Sequence, residues 1–311
     1  MPTLLSRIDW RSRETLLIIM AIAMPLSFST WQALLNNFAI EQASFDSVQI
    51  GFLQSIREVP GFLSFTIVFV LLFFREQPLV LVSLLLLGIG TAITGFLPTM
   101  IGLYLSTVLM STGFHYFEAL HQSLALQWTE KKTSPIVLGR IVSARSVAAL
   151  ISFGLIYFAL EIGRIEMKWV YLTAGGMSVL IGLFCWFFYP RFEARNEQNK
   201  KIVFRQRYWL WYVLVFMSGA RRQIFVVFAG FLMVEKFGFS AAEVSLMFMA
   251  NMITSIFLAP KIGRLIARFG ERKALIFEYG GLVVVFISYA LATEAWMGVC
   301  PGQNHRLLMK G

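Results

Sequence analysis

The chain has 311 residues, 58% of them apolar and only 14% charged, with a net charge of +10 and a mean hydropathy of +0.70. A soluble chain is about half apolar and about a quarter charged. The composition therefore excludes a soluble enzyme, a disordered chain and, with only Cys185 and Cys300 present, a secreted disulfide scaffold. It predicts an all-α integral membrane protein, and at about 20 residues per crossing helix it holds at most about ten crossings.

Continuous apolar runs of about 18 residues or more predict spanning helices, because a barrel strand would alternate over about ten residues. The first run is Thr15–Asn36, behind a basic start (Arg7, Arg11, Arg13). It is too long for a signal peptide and has no small-x-small cleavage site, so it reads as an uncleaved helix. Gln32 and Asn36 on it offer hydrogen bonds to a solute. The second run, Val48–Phe74, carries Arg57 and Glu58 just before Pro60. At 1.5 Å per residue Arg57 lies about 13 Å below Val48, near mid-membrane. Sequence neighbours on a helix point about 100° apart, so Arg57 and Glu58 are not expected simply to neutralise each other. Pro60 removes a backbone bond in the same turn and permits a bend.

The third run is Leu79–Phe96, with Gly88 and Ala92 at a spacing that lets helices approach closely. The fourth, Ile101–Gln127, carries His115, Glu118, His121 and Gln122. His115 and Glu118 are i, i+3 and share a face, which makes a proton-exchanging group. A polar patch near the inner interface is the alternative. A metal site is disfavoured, since no Cys or second carboxylate accompanies them, and no cofactor is expected. The fifth and sixth runs are Ile141–Leu160, with Ala144, Ala148 and Ser152 on one face, and Trp169–Tyr189. A charged stretch, 190–208, follows. The seventh run, Trp209–Val234, bears Arg221 and Arg222, an anion site or half of a structural ion pair. Ala242–Pro260 and Lys273–Ala292 complete nine runs.

Nineteen of the 27 Lys and Arg fall in the segments on the N-terminal side of the membrane and five on the other. This is the positive-inside bias, so the net charge is no nucleic-acid footprint. It predicts a multi-pass protein of the cytoplasmic (plasma) membrane with a cytoplasmic N-terminus. The organisation reads as a six-helix half (1–189), a basic cytoplasmic linker (190–208), a three-helix partial half (209–292) and a tail (293–311).

The loop after the eighth run reads Gly263-Arg264-Leu265-Ile266-Ala267-Arg268-Phe269-Gly270-Glu271-Arg272-Lys273. It resembles the cytoplasmic signature of the major facilitator superfamily, Gly-x-x-x-Asp-Arg-x-Gly-x-Arg-Arg. Gly263, Arg268, Gly270, Arg272 and Lys273 match in register, while Ala267 stands at the acidic position. The first-half counterpart, around Arg75-Glu76-Gln77-Pro78, is too short to hold the motif. A generic positive-inside loop with two turn glycines is the bland alternative. The resemblance implies a major facilitator-like bundle of about nine transmembrane helices (6 + 3), in which the first, fourth, seventh and tenth helices line a central cavity. The family has twelve helices, so the chain is expected to be C-terminally truncated, lacking helices ten to twelve.

The expected function is secondary transport of a small anionic solute by alternating access, with proton coupling. Arg57, Arg221, Arg222, Gln32 and Asn36 would bind the solute, and Glu58, His115 and Glu118 would carry protons. Gly263, Arg268, Gly270, Arg272 and Lys273 would form the cytoplasmic gate. No Gly-x-x-x-x-Gly-Lys-Ser/Thr occurs, so ATP-driven transport is not expected. No nucleophile–base set points to an enzyme. A non-transporting receptor, scaffold or inactive remnant is the alternative.

Overall fold

The described residues of the predicted runs are mainly helical, with the second run leaving the helix at Leu71–Phe74 and the third at Gly95–Phe96. The computed structural model describes residues 10–130, 134–193, 205–254 and 271–290, and every regular element among them is helical. The helices are α1 (Arg13–Ala43), α2 (Ser47–Val70), α3 (Glu76–Thr94), α4 (Met100–Trp128), α5 (Ser134–Tyr157), α6 (Met167–Phe188), α7 (Trp209–Glu235), α8 (Ala241–Thr254) and α9 (Glu271–Ala290). Among the described residues, five of them (α1, α2, α3, α5 with the π-turn that extends it, and α6) are long and apolar enough to cross a membrane.

Local chemistry sets the helix ends. Ser12 caps α1 by accepting the Thr15 N–H at 3.2 Å, and Ser44 ends it in the left-handed region at φ 54°. Asp46 and Gln49 form a reciprocal capping box at the start of α2. The Thr99 hydroxyl accepts the Gly102 N–H at 3.1 Å to start α4. Pro78 and Pro135 fall in the first turns of α3 and α5, where a missing N–H is no loss. Pro25 and Pro60 lie inside their helices. α1 continues as one helix through Pro25. α2 continues past Pro60 to Phe62 and then tightens into a 3₁₀ turn, Leu63–Thr66.

α1 is the central element. It packs against α3, α4, α5 and α6 and touches α7. Two-thirds of its apolar window is buried, against 28% for α2, so α2 turns more of its surface outward. α3 lies between α4 and α6, held at both faces by glycines. A Cβ on Gly113 of α4 would collide with the Leu87 backbone nitrogen and lie 2.6 Å from the Ser83 carbonyl oxygen. A Cβ on Gly90 would lie 2.5 Å from the Met110 nitrogen. On the other face, Gly175 of α6 meets Gly88 and Ala92 backbone to backbone. The small residues expected on the third helix thus mark a helix contact.

One end of the bundle is stitched by polar contacts. Arg140 of α5 pairs with Glu14 of α1 at 2.6 Å. Gln77 donates to the Pro190 carbonyl and accepts the Phe192 N–H, each at 2.8 Å. Arg13 donates to the Glu193 carbonyl at 3.2 Å, and the Tyr189 hydroxyl donates to the Trp10 carbonyl. At the opposite end Asn37 of α1 donates to the Phe239 carbonyl at 2.7 Å, between α7 and α8. Phe153 of α5 stacks on Phe248 of α8 at 5.2 Å.

Candidate functional site

Arg57 and Glu58 of α2 meet side chains of α1 and α4. Arg57 stands ten residues into α2, about 15 Å from its start at 1.5 Å per residue. Its side chain is 9% exposed, while that of Glu58 is 42% exposed. A buried guanidinium keeps its charge and needs a counter-ion. Glu58 supplies it. Glu58 Oε1 lies 3.0 Å from Arg57 Nε and 2.6 Å from Nη2. This corrects the expectation that the two side chains diverge. Their helix directions do differ by about 100°, but both chains are long enough to fold back to one another. Trp31 of α1 lies under the guanidinium, 5.8 Å from ring centroid to Cζ, as in a cation–π contact. The Ser111 hydroxyl of α4 donates to the Arg57 carbonyl oxygen.

His115 comes to the same place from α4. Its ring rests on Gly61 of α2, where a Cβ would lie 2.7 Å from Cε1. It is within electrostatic reach of both Arg57 and Glu58. The neighbouring Phe114 stacks on Phe28 of α1 at 4.0 Å, nearly parallel at 9°, which fixes the turn that carries His115.

Glu118 goes elsewhere. It pairs with Arg145 of α5, Nη1 to Oε1 at 2.9 Å and to Oε2 at 3.0 Å. His115 and Glu118 lie on neighbouring positions of α4, but α4 runs between α2 and α5 and each residue meets a different helix. Arg145 lies well inside α5, with a side chain 29% exposed. The signal was available, because Arg145 stands inside the fifth apolar run, Ile141–Leu160. Buried pairs lose about 3–5 kcal/mol when one partner goes, and exposed pairs about 1 kcal/mol or less. For this half-exposed pair, Glu118→Gln and Arg145→Gln are each expected to destabilise by about 1–3 kcal/mol, with the double variant losing less than the sum. Thermal unfolding in detergent reads this cycle, and strict additivity would mean that the pair contributes nothing.

His121 is structural. It is 2% exposed, lies parallel to Phe117 at 5.1 Å, and its Nε2 donates to the Leu17 carbonyl of α1 at 2.9 Å. Gln32 is half-buried on α1. Asn36, one turn on, faces Gly230 of α7, where a Cβ would lie 3.2 Å from the Asn36 side-chain nitrogen. Several polar atoms in this region have no hydrogen-bond partner among the described residues: Ser27 Oγ, Trp31 Nε1, Asn36 Oδ1 and Gln54 Oε1. Ser27, Trp31 and Gln54 escaped the sequence reading. Ser27 and Trp31 are i, i+4 on α1, and Gln54 is three residues before Arg57 on α2, which is the spacing that could have found them.

α7 carries residues 221 and 222 near its middle, but the side chains of Arg221 and Arg222 lie outside the described residues. So do Gly263, Arg268 and Gly270 and the side chain of Arg272. Lys273 is exposed in the first turn of α9.

A family model described as the Major Facilitator Superfamily matches residues 15–301. No curated protein sequence matches the chain. The fold is similar to two crystal structures of the nucleoside transporter NupG, with TM-scores of 0.67 and 0.65 at 12% and 13% identity. Each alignment covers 83% of this chain and 69% of that one. It is also similar to a bacterial homologue of the human lysosomal transporter Spinster in its inward-facing, unoccupied form. There the TM-score is 0.62 at 15% identity, over 86% of this chain and 64% of the homologue.

Proposed function

The chain belongs to the Major Facilitator Superfamily and is a multi-pass membrane protein, and from this premise we propose that it is a secondary transporter moving a small anionic solute by alternating access, with proton coupling. The observation that carries this reading is Arg57. A guanidinium held at mid-helix in an apolar bundle is costly, and its planar fork matches carboxylate or phosphate. Beside it, Trp31 Nε1 on the ring against the guanidinium and Gln54 Oε1 one turn earlier on α2 have no hydrogen-bond partner among the described residues, and a solute would satisfy them.

Gln32 and Asn36 contribute hydrogen bonds from α1, and Arg221 and Arg222 add positive charge from α7. Glu58, His115 and Glu118 carry protons, Glu118 against Arg145. Gly263, Arg268, Gly270, Arg272 and Lys273 act as the cytoplasmic gate. The two halves are 1–189 and 209–292, joined by a basic linker, 190–208, at the cytoplasmic surface. The N-terminus is cytoplasmic. A cysteine at Glu130 is then expected to react with an impermeant maleimide only from inside the cell, and one at Asp46 only from outside. The reverse pattern would overturn the orientation.

Transport itself is tested in proteoliposomes. Lactate, succinate, benzoate and inorganic phosphate are offered separately under an inward proton gradient. Accumulation of one of them above the protein-free level is expected. If all four merely equilibrate as in empty vesicles, the anionic reading fails. Binding without flux would favour a non-transporting receptor.

A further inference from the structure

We propose that the crevice between α1 and α6 seats one acyl chain of an anionic phospholipid, whose phosphate rests on the basic residues at the crevice mouth, Arg11 and Arg191.

α1 and α6 run antiparallel and are tied at two levels. In the interior the Ser178 hydroxyl of α6 donates to the Ala23 carbonyl of α1 at 2.7 Å. Just before α1 begins, Arg11 Nε donates to the carbonyl of Phe188, the last residue of α6, at 3.0 Å. Between these ties lies a crevice of about 390 Å³, lined by Ile19 and Ile22 of α1 and by Leu180, Ile181 and Phe184 of α6. All five are apolar, so the crevice offers a polar solute no hydrogen bond. Ile22, Leu180 and Phe184 are exposed, and in a membrane protein such a surface meets lipid. From Ser178 to Phe188 the α6 axis rises about 15 Å at 1.5 Å per residue. That is half of a hydrocarbon core of about 30 Å. The stretch between the ties therefore has the depth of one leaflet, the space that one acyl chain occupies.

The mouth of the crevice has the chemistry of a headgroup site. Phe184 stacks on Phe188 at 4.9 Å and meets Tyr189 edge-on at 6.4 Å. Tyr189 meets Trp10 edge-on at 6.1 Å, and its hydroxyl donates to the Trp10 carbonyl. Amphipathic aromatics of this kind settle at headgroup depth. The exposed Arg11 guanidinium lies over the Trp10 ring, 5.0 Å from Cζ to the centroid. Its bond to Phe188 holds it across the mouth, from the α1 side to the α6 side. Arg191, two residues past Tyr189, is exposed as well. The acid in the first turn of α1, Glu14, is turned to Arg140 of α5.

Tail and head contribute differently. Lipid tails are as apolar as the side chains that line the crevice, so in a bilayer a chain gains little by exchanging one for the other. Selection falls to the head. Each Lys or Arg near a membrane surface raises the affinity for anionic lipid about fivefold. Phosphatidylglycerol is therefore favoured over zwitterionic phosphatidylethanolamine.

The test is native mass spectrometry of the purified full chain in detergent, titrated with dioleoyl phosphatidylglycerol and dioleoyl phosphatidylethanolamine. The wild type is expected to hold one phosphatidylglycerol about fivefold more tightly, or better. Arg11→Gln combined with Arg191→Gln is expected to bind the two lipids alike, and the two lysine substitutions to keep the preference. Leu180→Trp fills the crevice from an exposed position and is expected to displace the tight lipid whatever its head. Equal wild-type affinity for the two lipids overturns the inference. So does a preference that survives the double glutamine variant, or one that falls as far in Lys168→Gln at the other end of α6. Tight lipid retained by Leu180→Trp overturns it too. A lipid-free dimer that Leu180→Trp dissociates would put a second copy of this chain in the crevice instead. Short-chain phosphatidylglycerol needs no variant at all. It is expected to bind the wild type more weakly than the dioleoyl lipid, and equal binding would leave the crevice without its chain.

Discussion

Arg57→Ala is expected to abolish anion binding and transport while leaving a folded protein. A hydrogen bond to a charged group contributes about 1.5–3 kcal/mol, which is roughly ten- to over a hundredfold in affinity. Arg57 presents at least two such bonds in its present pair, from Nε and Nη2, so a loss at the upper end is expected. The fold should survive because the residue left behind, Glu58, is 42% exposed and can be hydrated or protonated. Arg57→Lys separates charge from shape. Lysine keeps the positive charge but lacks the planar fork and sits less well over the Trp31 ring. It should retain part of the affinity, between the wild type and alanine. Equal binding by all three proteins would remove Arg57 from the site. A lysine variant as poor as alanine would show that the fork matters more than the charge. Binding and gel filtration on the same preparations distinguish loss of the site from loss of the fold.

Gly113→Val is expected to be the most damaging single substitution for stability among the described glycines. Overpacking typically costs about 1–3 kcal/mol and sometimes more, the more so when the obstacle cannot move. Here the obstacle is backbone, the Leu87 nitrogen and the Ser83 carbonyl of α3, so rotamer changes give no relief. α3 and α4 must separate, and α3 is also gripped by α6 at Gly175. The controls lie one residue apart on α6. Gly175→Ala should destabilise, since its Cβ would meet the backbone of Gly88 and Ala92. Gly176→Ala should be neutral or slightly stabilising, having nothing within 4 Å and a better helix former in place of glycine. Midpoints of thermal unfolding in detergent read all three. Similar midpoints for Gly175→Ala and Gly176→Ala would mean that the α3–α6 contact is looser than the structure has it.

The helical architecture was legible because a bilayer imposes length and polarity on each segment separately. A run such as Trp209–Val234 needs no partner to declare itself, and α7 spans Trp209–Glu235. The same holds for Gly88 and Ala92, whose spacing announces a close contact without naming the other helix. Partners are another matter. Arg57 and Glu58 were both visible, yet their pairing depends on side-chain reach, which backbone direction alone does not give. Glu118 was read with His115 because the two are three residues apart. Its actual partner, Arg145, is 27 residues away on another helix. His121, off the face that His115 and Glu118 share, is a tie to the Leu17 carbonyl of α1, a partner that only the packing of α4 on α1 reveals.

What the sequence determined by itself is therefore the membrane class, the helical runs, the family and the presence of charge at mid-helix. Each follows from hydrophobic length or from a local motif, and neither depends on how helices meet. Only the tertiary structure decided which charges neutralise each other, which histidine faces the Arg57 pair, and which glycines are indispensable. Those depend on the order in which α1, α2, α4 and α5 lie against one another. In a low-dielectric bundle a charge takes the partner within reach in space, and residues distant in sequence can be nearer than the next turn of the same helix.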